Sequence, residues 1–105
     1  LDEFEVVDHS GEVDGDSYAV TANVKNVGDQ TASLIDHEFE LVLFDSAGTD
    51  VTGRGNSVSA INQGEWTPGK TIEMNLSTGV DGDPAEVARY EISIGCGNFD
   101  DGVYC

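Results

Sequence analysis

Basic residues are nearly missing from this sequence: four Lys and Arg stand against 21 Asp and Glu, a formal charge of −17. That deficit excludes nucleic acid as a partner, because no basic face exists to neutralise phosphates. Long apolar runs are missing too. None approaches the roughly 20 residues that span a bilayer, and no charged-then-apolar leader opens the chain. The chain starts at Leu1 rather than Met, which reads as a processed product or an excised piece. A membrane is therefore expected as a partner only through an anchor outside this fragment. Convincing helical periodicity is absent, cysteine is limited to Cys96 and Cys105, and histidine to His9 and His37.

What remains is strand pattern. At 105 residues the chain is read as one domain spanning 1–105, large enough for a single core. "EFEVVD" alternates Phe4 and Val6 against Glu3 and Glu5, the mark of a strand with one wet face. "SGEVDGDS" reads as a turn cluster, and His9 just before it is placed in a turn as well. "YAVTANVKNVG" sets Tyr18, Val20, Ala22 and Val24 on one face; "HEFELVLFD" does the same with Phe39, Leu41 and Leu43, and "KTIEMNLS" with Ile72, Met74 and Leu76. "SVSAI" is a shorter strand, and "RYEISIGC" closes the series with Tyr90, Ile92, Ile94 and Cys96 inward. Pro68-Gly69 suits the centre of a type II turn, and Pro84 suits the start of a short helical turn. About seven short strands with turn signals between them predict an all-β, antiparallel, immunoglobulin-like β-sandwich.

Three stretches, in order, carry a resemblance. "VTANVKNVGD" runs into Asn26 and Gly28, "LVLFDSAG" is an apolar strand closed by Asp45 and Gly48, and "TPGKTIEMNL" is a Pro-Gly turn feeding a strand. Over residues 15–95 the chain resembles the FxLYD family of small immunoglobulin-like or fibronectin-III-like domains. In the naming motif Leu41 stands where Phe is usual, Leu43 matches, Phe44 replaces Tyr and Asp45 matches. The resemblance implies architecture and an extracytoplasmic address in secreted or lipid-anchored proteins of archaea and bacteria, with no catalytic residues to carry over. The scarcity of Lys beside abundant Asp, Gly, Val and Thr resembles proteins of salt-in halophiles, especially haloarchaea.

Candidate chemistry is thin. Asp45 is explained by a strand-end turn whose backbone N–H groups its carboxylate can accept. Asp36 precedes His37, but a catalytic triad is set in space and not by adjacency, and neither Ser46 nor Ser57 lies in a nucleophile elbow. No enzymatic activity is expected. Calcium takes six to eight hard oxygens at about 2.4 Å. Asp8, Asp14 and Asp16, with Ser10 and Glu12 between them, are its candidate donors, and "DGD" recurs at Asp81 and Asp83. Neither stretch fits an EF-hand loop, and solvated acidic turns explain both, so no metal or cofactor is assigned. Asp101-Gly102 suits a turn that folds residues 96–105 into a hairpin closed by a Cys96–Cys105 disulfide, which fits an oxidising compartment. Asn75-Leu76-Ser77 is a glycosylation sequon with Asn75 on the wet face by parity. Trp66 reads as an aromatic covering one end of the sandwich.

The reading these features support is a non-catalytic structural or interaction module of a haloarchaeal extracellular or cell-surface protein. Its partners would be other surface proteins or copies of itself, with a self-assembling filament that exchanges its N-terminal strand, "LDEFEVV", as the sharp version. The alternative is a calcium- or ligand-binding sandwich. Charge supplies the first test. Screening length falls from about 10 Å at 0.1 M salt to about 3 Å at 1 M, removing most of the self-repulsion that favours the unfolded chain. The melting temperature should climb steadily across that range, alike in NaCl and KCl; a flat response would contradict the salt-adapted reading.

Overall fold

The structure, a computed structural model, describes residues 3–32, 37–60 and 65–96. Among the described residues six strands form: β1 (Phe4–Asp14), β2 (Ser17–Asn26), β3 (His37–Asp45), β4 (Ser57–Ala60), β5 (Thr71–Gly79) and β6 (Val87–Cys96). All pairings are antiparallel, giving one sheet ordered β1-β2-β5-β4 and a second of β3-β6. This strand order is that of an immunoglobulin-like sandwich, with four and two strands among the described residues. Six strands lie among the described residues, where about seven are expected over the whole chain. The proposed hairpin at 96–105 and its Cys105 lie outside the described residues beyond Cys96.

Inward alternation builds the core. Val20, Ala22 and Val24 of β2 and Ile72, Met74 and Leu76 of β5 face Phe39, Leu41 and Leu43 of β3, all buried. Tyr90 and Ile92 of β6 pack against this cluster from the second sheet. Trp66 closes one end: it is 1% exposed, stacks on Phe4 at 4.4 Å between ring centroids, and donates its indole N–H to the Lys70 carbonyl at 2.9 Å. Asn26 holds the same end together. Its side-chain amide donates to the Gln30 and Trp66 carbonyls, both at 2.8 Å, and accepts from the Gly28 N–H at 3.0 Å. A fully buried amide is tolerated because all its polar capacity is matched. The Lys70 N–H donates to the Thr67 carbonyl at 3.0 Å, closing the Pro68-Gly69 turn.

A correction concerns residues 9–14, expected as a turn. They are strand. β1 keeps pairing with β2 from His9↔Ala22 to Asp14↔Ser17, and the reversal needs only Gly15 and Asp16. Gly15 at φ +60 takes the first central position of that two-residue turn, a backbone region that glycine enters without steric cost.

One buried group stands out. Thr78, fully buried in β5, has a hydroxyl with no hydrogen-bond partner. An unpaired buried hydroxyl costs about 1–3 kcal/mol. Thr78→Val should therefore raise stability by about 1 kcal/mol, whereas Leu43→Ala, which leaves a cavity between the sheets, should cost about 2–5 kcal/mol. Denaturant unfolding of both variants checks the opposite signs; a destabilising Thr78→Val would mean the hydroxyl is bonded.

Candidate interaction edge

A two-sheet sandwich ends in four strand edges, and each exposes backbone N–H and C=O groups that can pair with a foreign strand. Three of them carry a guard. β4 is only four residues long. β1 is interrupted by a bulge between Val6 and Asp8 and studded with exposed acids at Glu5, Asp8, Glu12 and Asp14. Short strands, bulges and charges are the usual ways such edges are blunted.

The guard on β3 is more specific. Asn56 behaves as a fragment of strand: its side-chain oxygen accepts the Leu41 N–H at 3.0 Å and its nitrogen donates to the Leu41 carbonyl at 2.7 Å. The Thr52 hydroxyl accepts the Leu43 N–H at 2.9 Å, and the Val51 N–H donates to the Leu43 carbonyl at 2.9 Å. These bonds also fix which way the backbone points. Leu41 and Leu43 aim their polar groups away from β6, so the alternate residues Glu40, Val42 and Phe44 bond to Ser93, Glu91 and Arg89. Residues of an antiparallel strand alternate between the two sides. It follows that Tyr90, Ile92 and Ile94 direct their N–H and C=O groups to the far side of β6, where no described residue meets them. Among the described residues that edge carries no guard.

Beside it, three aromatic residues tie β6 to the other sheet. The Tyr90 hydroxyl bonds His9 Nδ1 at 2.5 Å, with the two rings edge-on, and Tyr18 lies 6.0 Å from Tyr90 between centroids. Gly11 makes room for them. A Cβ there would sit 2.8 Å from ring carbons of both tyrosines, so a larger residue would displace the two rings. This His9–Tyr90 pair was invisible in the sequence, since 81 positions separate its members and His9 was assigned to a turn. On the outer face of β6, Arg89 pairs with Glu91 at 2.9 Å and lies over the Phe44 ring at 4.1 Å.

The other candidate residues fall elsewhere. Asp45 does close its turn, its carboxylate accepting the Ala47 and Thr49 N–H groups, both at 2.9 Å. Asp83 caps the short 3₁₀ turn Pro84–Glu86 by accepting the Ala85 N–H at 2.9 Å. Asp8 and Asp14 sit six positions apart on the extended β1, about 20 Å at 3.3 Å per residue, so the strand does not bring them together as calcium donors. Among the described residues no three acidic, histidine or cysteine side chains gather as metal ligands. His37 opens β3 and Asp36 lies outside the described residues; Ser57, in β4, and Ser46 are both exposed. Cys96 ends β6 opposite His37 in register. No helix among the described residues is long and apolar enough to cross a membrane. No family model, curated protein or solved structure matches the chain.

Burial, and secondarily the charge Tyr18 would carry, raise the Tyr90 phenol above its usual value of 10.0. A raised acid keeps its proton longer in the folded state, so the stability it supports is whole below pH 10 and is lost as pH climbs through the folded value. The stability difference between the parent protein and Tyr90→Phe should be constant up to about pH 9 and shrink above about pH 10. Denaturant unfolding across that range measures it; an unchanging difference to pH 11 would place the phenol in water.

Proposed function

We propose that the chain is a non-catalytic interaction module of an extracytoplasmic, salt-adapted archaeal protein, and that it joins a second copy of itself along the outer edge of β6. The observation that carries this reading is the contrast between edges. Asn56 and Thr52 block β3, a bulge and acids blunt β1, and β4 is short, while the N–H and C=O groups of Tyr90, Ile92 and Ile94 in a ten-residue strand point away from β3 and meet no partner among the described residues. Strand addition at such an edge takes its affinity from main-chain hydrogen bonds. Edge-to-edge pairing asks least of the fold, because β1 stays where Phe4 stacks on Trp66. Exchange of β1 between copies, the filament version, would first undo that stack.

Compartment and family belong to the same proposal. The acid excess over four basic residues favours a salt-rich setting, and the "LVLFD" strand with its Asp45 turn supports kinship with FxLYD-like surface domains. A Cys96–Cys105 bridge, with Cys105 outside the described residues, fits an oxidising exterior. It would hold position 105 near the end of β6 opposite Tyr90, because bridged Cα atoms lie within about 7 Å of each other.

Light scattering in 2 M KCl tests the central point. The protein should associate with rising concentration. Ile92→Pro should abolish this by removing one outward N–H, and Ile92→Ala, which loses the side chain but keeps the N–H, should still associate. A protein that stays monomeric at every concentration, or loses association equally in both variants, overturns edge pairing.

A further inference from the structure

We propose that Asn75 is the attachment site of an N-linked glycan covering the outer face of the four-stranded sheet; this rests on the extracytoplasmic reading above. Asn75-Leu76-Ser77 has the sequon spacing, and β5 gives it a suitable surface. Leu76 is buried while Asn75 projects outward, exposed, with Ser77 on the same face. The cross-strand neighbours of Asn75 are Thr21 on β2 and Ser59 on β4, and those of Ser77 are Ala19 and Ser57. All four are short, which leaves the space above the amide free for a bulky sugar. The amide is also oriented. Thr21 donates its hydroxyl to Asn75 Oδ1 at 3.1 Å, leaving Nδ2, the atom a glycan bonds, without a partner among the described residues.

The bond formed is between Asn75 Nδ2 and the anomeric carbon of an oligosaccharide carried on a lipid diphosphate. The sugar–phosphate C–O bond breaks, the lipid diphosphate leaves, and the amide gives up one proton to the transferase. In the finished sheet β5 is hydrogen-bonded to β2 on one side and β4 on the other, so its backbone cannot enter a transferase groove. Attachment therefore precedes docking of β5, during export. Once in place, the glycan closes the broad face of this sheet to protein contact and leaves the edges as the surface for association.

The test uses protein from its own cells. Trypsin cleaves after Lys70 and Arg89, so one peptide, Thr71–Arg89, carries the sequon. Mass spectrometry should find this peptide heavier by a glycan at Asn75, unmodified in Ser77→Ala, and modified again in Ser77→Thr. Intact cells treated with a membrane-impermeant amine reagent report the compartment through Lys25 and Lys70. A surface-labelled protein whose wild-type peptide is unmodified overturns the glycan alone. A protein that escapes the label in intact cells but reacts after lysis overturns the export reading on which the glycan rests.

Discussion

Backbone polar groups at the rim of a sheet must be bonded, hidden or kept away from partners, and that requirement organises this molecule. Leu41 and Leu43 are fully buried core residues whose N–H groups point to the rim. Left unpaired, each would cost about 1–3 kcal/mol. The chain answers with the segment after β3, which doubles back so that Asn56, Thr52 and Val51 supply the missing partners. Three of the four bonds are made by side chains and the fourth by the Val51 backbone N–H. β6 faces the same requirement on its far side and has no such segment among the described residues. Among the described residues the two edges of this small sheet are therefore unlike.

Charge works with this arrangement rather than against it. The buried interior holds apolar side chains and two polar ones, of which Asn26 is fully bonded, so repulsion acts at the surface, where salt screens it. Acids along β1 protect that edge from strand addition. On β6, by contrast, Glu91 is paired with Arg89, so this strand carries less unpaired acid than β1. The outer face of the four-stranded sheet, with Thr21, Asn23, Glu73, Asn75 and Ser77 among its residues, offers little apolar area.

Much of the fold was legible because burial follows parity. Val20, Val24, Leu41, Leu43, Ile72 and Met74 were each assigned inward by alternation and are buried. Trp66 at the sandwich end, the Pro68-Gly69 turn and the Asp45 turn were likewise readable from local chemistry. The arm from His9 to Asp14 was not. Both of its faces are exposed, so hydrophobic alternation had nothing to report, and its Gly, Ser and Asp content suggested a turn. Only continued pairing with β2 makes it strand. The edge guards were equally hidden: Asn56 sits in a Gly-rich stretch and bonds a residue 15 positions away, for reasons that exist only once β3 is placed. The acids at 8–14 looked like a cluster in sequence and are spread along an extended strand in space, with Asp16 in the turn that follows.

Amide hydrogen exchange along β6 addresses the open edge most directly. In a dilute solution in molar KCl, Glu91 and Ser93, bonded to β3, should exchange slowly, whereas Tyr90 and Ile92 should exchange quickly because their N–H groups face solvent. Raising the protein concentration should slow Tyr90 and Ile92 selectively as a second β6 pairs with them. Equal protection of all four amides in the dilute monomer would mean that the edge is already covered, and would contradict the account.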